Sequence, residues 1–372
     1  MSSNPQASKA FQRFTKVVVF FAILLIWWGA ATTTKQAGMA FFDWPLSFGS
    51  VNPTGWLSNM VPFLEHSHRL LATLVGLLVL AMFSWSYIRS KKQFGEVVLL
   101  VLLLAVVFGV FIVAGAERTD VERKKTFLSA GVALGLLPVG WLIWSWMKRG
   151  WSLVQKFSAL ALLVVTVQAI LGGLRVTEIS NTFAVIHGCL AQGFFCLLIL
   201  IVLAAGPRWS TFGFSGQGAK NALLSWGGVA LVGLTSLQLI FGASMRHFHR
   251  FGLADTDLLK TQGKWIPSFE EPIIAVMFLH KYTGFCLFLF AIGFLLRLLA
   301  IRSHSMKRAK IHLSVIVGLL LGQVALGLMV IATGKHFWLT NFHVLNGLAI
   351  LAVCFVFVVR AFRTSGVEEG LA

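Results

Sequence analysis

The sequence predicts an all-α polytopic membrane protein: two pseudo-symmetric four-helix bundles (eight core transmembrane helices) plus an inserted two-helix hairpin, about ten membrane-crossing helices in all. Three observations carry this. Hydrophobic residues make up 57% of 372 and charged residues 12%, with mean hydropathy +0.83, a composition incompatible with the surface of a soluble domain. Apolar runs long enough to cross a hydrocarbon core of about 30 Å recur along the chain. A set of glycine, glutamine and histidine positions in the first half returns, in order, in the second.

The runs fall near 17–34, 69–88, 96–115, 126–147, 157–175, 183–205, 222–245, 275–300, 311–333 and 341–361. Each reads as a helix, because an open strand edge cannot satisfy its backbone groups in lipid. The first follows a basic stretch as a signal peptide would, but it lacks a small-residue cleavage site and reads as a retained span. The third and fourth carry no histidine and have no counterpart later, so they read as an inserted hairpin at about 93–150. Being even in number, they leave the downstream orientation unchanged. The N-terminal unit is therefore 1–205 including the hairpin, followed by a cytoplasmic linker at 206–220 and a C-terminal unit at 221–372.

The formal charge of +18 resembles a nucleic-acid signal until its placement is read. Lys9, Arg13 and Lys16, then Arg89, Lys91 and Lys92, Lys148 and Arg149, Arg302, Lys307, Arg308 and Lys310, and Arg360 and Arg363 all fall on one side of the membrane. The bias of basic loops to the cytoplasm puts both termini inside, in a cell inner (plasma) membrane, with lipids rather than nucleic acid as partners. The 117–125 loop, with Arg118, Arg123, Lys124 and Lys125 on the outer side, departs from this pattern. Cys189, Cys196, Cys286 and Cys354 all lie within spans and read as small apolar core residues.

The repeat has two parts. Gln168 and Leu171-Gly172 lead to His187, as Gln323 and Leu326-Gly327 lead to His343. Gly29-Ala30, Gly38-Met39-Ala40 and Asp43 lead to His68, as Gly242-Ala243, Gly252-Leu253-Ala254 and Asp257 lead to His280. The four histidines thus stand at the outer beginnings of spans two, six, eight and ten. Ionisable groups at membrane depth are costly, about 2.5–3.5 kcal/mol for a central charge, and mark function. Paired imidazoles on facing helices of a bundle suit one haem between two histidines. Gly172, Gly173, Gly188, Gly284 and Gly347 provide clearance for a flat macrocycle or, on the plainer reading, simple close helix packing. Arg69 and Lys281 follow His68 and His280, and Arg175 and Arg246 end neighbouring spans. Each reads either as a partner of a haem propionate or as a cation snorkelling to headgroups.

One position separates the halves. Glu65 stands three residues before His68, where the second half has Met277. A carboxylate beside an iron site can move protons, which makes the first half the catalytic candidate. A glutamate complementing the dipole at a helix start is the alternative. His66, His247, His249, His304, His312 and His336 have no repeated partner and are not read as ligands.

Taken together, Ala37-Gly38-Met39-Ala40, Asp43-Trp44-Pro45-Leu46, Glu65-His66-Ser67-His68-Arg69 and Leu171-Gly172-Gly173-Leu174-Arg175-Val176 leading to His187 and Ala191-Gln192 resemble the haem A synthase family, whose members are membrane haem O oxidases. The resemblance spans the chain apart from about 90–150. It implies a b-type haem ligated by His280 and His343, and haem O as substrate between His68 and His187. It also implies that Glu65 assists oxidation of a haem O methyl group to the formyl group of haem A, for terminal oxidase biogenesis. The partners it implies are haem O synthase, terminal oxidase assembly factors and an electron donor; the inserted hairpin is outside the family pattern and reads as lipid-facing packing without chemistry, with docking of a partner such as haem O synthase as the alternative. Some members carry a cysteine pair in the first outer loop, where this chain has Ser47; the second outer loop keeps only Asp257 of the Asp-Trp-Pro segment. Two other classes stand beside this one. A bis-histidine transmembrane b-type cytochrome would relay electrons from quinol and leave Glu65 without a role. A repeat-built transporter would hold its site near the midplane, which the outer placement of the histidines disfavours.

Overall fold

A computed structural model describes residues 7–117, 119–214, 222–248 and 257–363. Arg118, His249, the Gly252-Leu253-Ala254 segment and the later part of the 206–220 linker lie outside the described residues. Among those described there are ten long helices: α1 (Lys9–Thr34), α2 (Met60–Tyr87), α3 (Lys91–Ala116), α4 (Val121–Lys148), α5 (Leu153–Thr177), α6 (Asn181–Ala205), α7 (Ala222–Phe248), α8 (Pro272–Ala300), α9 (Lys307–Ala332) and α10 (Phe337–Phe362). All ten are long and apolar enough to cross a membrane, so the chain is an all-α polytopic membrane protein.

Helix ends run past the apolar runs because polar side chains cap them. Ser8, Asn59, Ser90, Asp120, Ser152 and Ser180 each accept from a backbone N–H of the first turn, meeting donors that the helix itself leaves unpaired. Glu65 and His68 consequently lie well inside α2, whose first residue is Met60. Glu65 is therefore not a residue preceding a helix start.

The chain divides into two compact units, 1–206 and 207–372. In unit 1, α1, α2, α5 and α6 pack as a closed ring in which α2 and α6 are diagonal, and the α3–α4 hairpin lies outside it against α5 and α2. In unit 2, α7 to α10 form the same ring, with α8 and α10 diagonal. The histidine-bearing helices are the diagonal pair in both. One end of unit 2 is an apolar core of Leu224, Leu231, Leu287, Phe294, Leu313, Ile316, Cys354 and Phe357, far along α8 and α10 from their histidines. Outward-facing Leu77, Leu99, Leu102, Leu289 and Leu296 are exposed, as lipid-facing positions must be.

The hairpin is fastened by a polar cluster at the end where α3 begins and α4 finishes. Arg149 donates from Nη1 to Glu96 Oε2 at 2.6 Å and from Nη2 to Glu96 Oε1 at 2.9 Å, while the buried Tyr87 hydroxyl donates to Glu96 Oε2. Arg149→Ala leaves Glu96 short of its cation in a partly buried setting. Thermal unfolding in detergent is expected to show a loss of about 1–3 kcal/mol; an unchanged transition would assign the anchoring to apolar packing alone.

Candidate haem-binding sites

His68 and His280 are the ninth residues of α2 and α8, and His187 and His343 the seventh of α6 and α10. Each ring lies against a glycine of the preceding ring helix. A Cβ on Gly29, Gly172, Gly242 or Gly327 would stand 3.0, 3.1, 3.1 or 3.2 Å from Cε1 of His68, His187, His280 or His343 respectively. The close approach needs glycine, and it aims the rings into the bundle from opposite sides. The His280 and His343 rings face each other with centroids 6.4 Å apart and planes at 69°.

The structure supplies a support that the sequence reading only half found. Gln238 Nε2 donates to His280 O at 2.7 Å and lies 3.1 Å from its Nδ1. Gln323 Nε2 stands 3.1 Å from His343 O and 3.2 Å from its Nε2. Gln168 Nε2 donates to His187 O at 2.7 Å, and Gln168 O lies 3.1 Å from His187 Nδ1. The pattern is Gln-x-x-x-Gly on the helix before the histidine, at 168/172, 238/242 and 323/327. Gln238 was legible from that spacing. Gly284 and Gly347 make room for the Gln238 and Gln323 amides, and Gly173 for the Trp44 indole. Three of the five glycines expected to clear a macrocycle thus clear protein side chains, and Gly172 clears the His187 ring.

Glu65 is buried, and both its oxygens are engaged. Oε2 accepts from the backbone N–H of Ala40 and of Phe41, the latter at 3.2 Å, and Oε1 pairs with Arg69 Nη2 at 2.6 Å. Arg69 also donates to the carbonyls of Phe41, Asp43 and Leu46. Lys281 repeats this in unit 2, donating to Asp257 O and Lys260 O at 2.7 Å each. Two of the four cations expected beside a propionate, Arg69 and Lys281, therefore turn to the preceding loop. Those loops are equivalent despite their sequences. Asp43 accepts from Phe48 and Gly49 N–H, and Asp257 from Gly263 N–H. Ser47 bridges Ser50 as Thr261 bridges Lys264, around left-handed pairs Phe48-Gly49 and Gln262-Gly263. The turn chemistry, not the Trp-Pro pair, is what repeats.

Arg175 packs on Gly38, where a Cβ would lie 2.3 Å from Nη2. Its guanidinium makes no hydrogen bond among the described residues. Lys335, which the sequence reading passed over, sits in the α9–α10 turn, where burial and the neighbouring Arg246 charge lower its pKa. His66 is buried with Nδ1 2.9 Å from Ser47 Oγ and supports the first loop.

The residues fit haem. Two metal–imidazole bonds of about 2 Å, added to the ring radii, fill the His280–His343 separation. His68 Nδ1 and His343 Nδ1 are buried without partners, and no group of three or more His, Cys, Asp or Glu forms among the described residues. Donors arranged in twos match axial ligation better than a tetrahedral site.

The model of the family described as Cytochrome oxidase assembly protein, COX15-CtaA, matches residues 129–355, a stretch that includes His187, His280 and His343. The haem A synthase of Halalkalibacterium halodurans is 26% identical over 252 residues, covering 66% of this chain and 80% of the relative. Matched over more than half its length, the chain belongs to the COX15-CtaA family of cytochrome oxidase assembly proteins, the haem A synthase family.

Proposed function

We propose that this protein oxidises the methyl group of haem O to the formyl group of haem A, with a resident b-type haem in unit 2 and the substrate in unit 1. The observation that carries the reading is the facing His280–His343 pair on diagonal helices, repeated in unit 1 by His68 and His187 beside a carboxylate that unit 2 lacks. In unit 2 the resident haem supplies electron transfer. His280 and His343 hold it, Gln238 and Gln323 set their ring rotation, and Arg246 and Lys335 receive its propionates. In unit 1, His68 and His187 hold haem O, and Arg175 receives a propionate. Arg69 and Lys281 serve each site by pinning the loop that closes it.

Glu65 is the group that handles protons in unit 1. Its hydrogen bonds from Ala40 and Phe41 and its pairing with Arg69 keep its carboxyl one helical turn from His68 and stop it from turning to solvent. The basic loops support a plasma-membrane setting with both termini cytoplasmic, and the oxidation calls for an electron partner and a supplier of haem O.

The test is co-expression with a haem O synthase in a host lacking haem A, followed by haem extraction and chromatography. Haem A in the extract is the expected result. Bound b-type haem with no haem A would favour an electron relay instead.

A further inference from the structure

The four histidines are not supported alike. In unit 2 both clamping glutamines are themselves held: Thr283 donates to Gln238 Oε1 at 2.6 Å, and Asn346 Nδ2 to Gln323 Oε1 at 2.8 Å. These partners stand three residues after His280 and His343. The corresponding residues of unit 1 are Leu190 and Leu71, and Gln168 Oε1 is buried without a partner. His187 keeps a partner on its ring, the backbone carbonyl of Gln168 at 3.1 Å from Nδ1, while the Gln168 amide holds the His187 carbonyl. His68 has none: the position four residues before Gly29 is Leu25, and no hydrogen bond reaches its ring among the described residues. The order of support is His280 and His343, then His187, then His68.

We propose that the two histidines of unit 1 are unequal ligands, His187 fixed and His68 displaceable, so that the coordination position which opens lies on the α2 face, one turn from Glu65. The inference rests on the haem O site proposed above. A partner on the second ring nitrogen fixes the orientation of a metal-bound imidazole and raises its basicity, and losing it costs about 10–100-fold in metal affinity. An unclamped ring therefore yields first to a competing ligand. The placement also serves turnover. A substrate haem has to enter and leave, which one loose ligand permits and two clamped ones oppose, whereas a resident haem gains from the doubly held pair of unit 2. Leu25 and Gln168 act through the histidines and are positioning residues.

The experiment loads the full-length protein with haem O, reduces it and titrates it with carbon monoxide, reading the Soret change and the haem-to-protein ratio. Wild type is expected to bind carbon monoxide at one of its two haems. Leu25→Gln, which supplies the missing amide, should lower that affinity about 10-fold or more. His68→Ala should keep the unit 1 haem, and His187→Ala should lose it. Should Leu25→Gln fail to fold, the histidine pair decides. Equal haem loss in both histidine variants, the reverse order of loss, or an unchanged carbon monoxide affinity in folded Leu25→Gln would overturn the proposal. Wild type that takes up no second haem overturns the haem O reading itself, a result distinguishable from the others by stoichiometry.

Discussion

His280→Ala is expected to yield a folded protein lacking the unit 2 haem, with haem O accumulating and haem A absent. The imidazole is the α8 half of a facing pair, and no other His, Cys, Asp or Glu joins that pair into a larger group among the described residues. Alanine is shorter, so the change leaves Gly242 and the Gln238 amide without a ring to pack on but introduces no clash. The apolar core at the far end of the bundle is untouched, so the fold survives. The haem-to-protein ratio and the reduced spectrum of purified protein measure the effect. Gln238→Leu provides the graded control, with haem affinity weakened about 10–100-fold. Retention of both haems by His280→Ala would remove His280 from the ligand set.

Glu65→Gln is expected to abolish haem A formation while leaving both haems bound. The substitution keeps the shape of the side chain but removes its charge and its ability to take up a proton, a role worth about 10²–10⁴-fold in rate. It also sets an amide NH2 against either Arg69 or the Ala40 and Phe41 N–H groups. Glu65→Ala goes further: it removes the charge partner of a mostly buried guanidinium, at a cost of about 3–5 kcal/mol, and leaves the Ala40 and Phe41 N–H groups without their acceptor. The alanine variant should thus lose stability as well as activity, and the glutamine variant mainly activity. Haem chromatography beside thermal unfolding separates the two effects. Haem A at wild-type level from Glu65→Gln would leave Glu65 with a purely structural role.

Several features were legible in the sequence because they depend on local composition. Hydropathy over some twenty residues located every span, and the caps only lengthened the helices at their ends. The repeat was readable wherever it lay in side-chain identity, as in Gln168, Gly172 and His187 against Gln323, Gly327 and His343. It faded where equivalence is carried by backbone conformation. The Asp43 and Asp257 loops share a turn, an aspartate acceptor and a pinning cation while sharing few residues. Gln238 was missed although its spacing to Gly242 matches the other two pairs, because the first-half counterpart, Leu25, breaks the pattern where the comparison begins.

The sequence by itself determined an all-helical membrane protein, its duplication and the four histidines, because each follows from hydropathy or from spacing along one helix. Only the tertiary structure decided that α2 faces α6 and α8 faces α10 across closed rings, that glycines aim the imidazoles, that Arg69 and Lys281 turn to their loops, and that His68 lacks the clamp the other three share. Those outcomes depend on the rotational phase of one helix against another and on contacts between residues 19 to 42 positions apart, which packing alone sets.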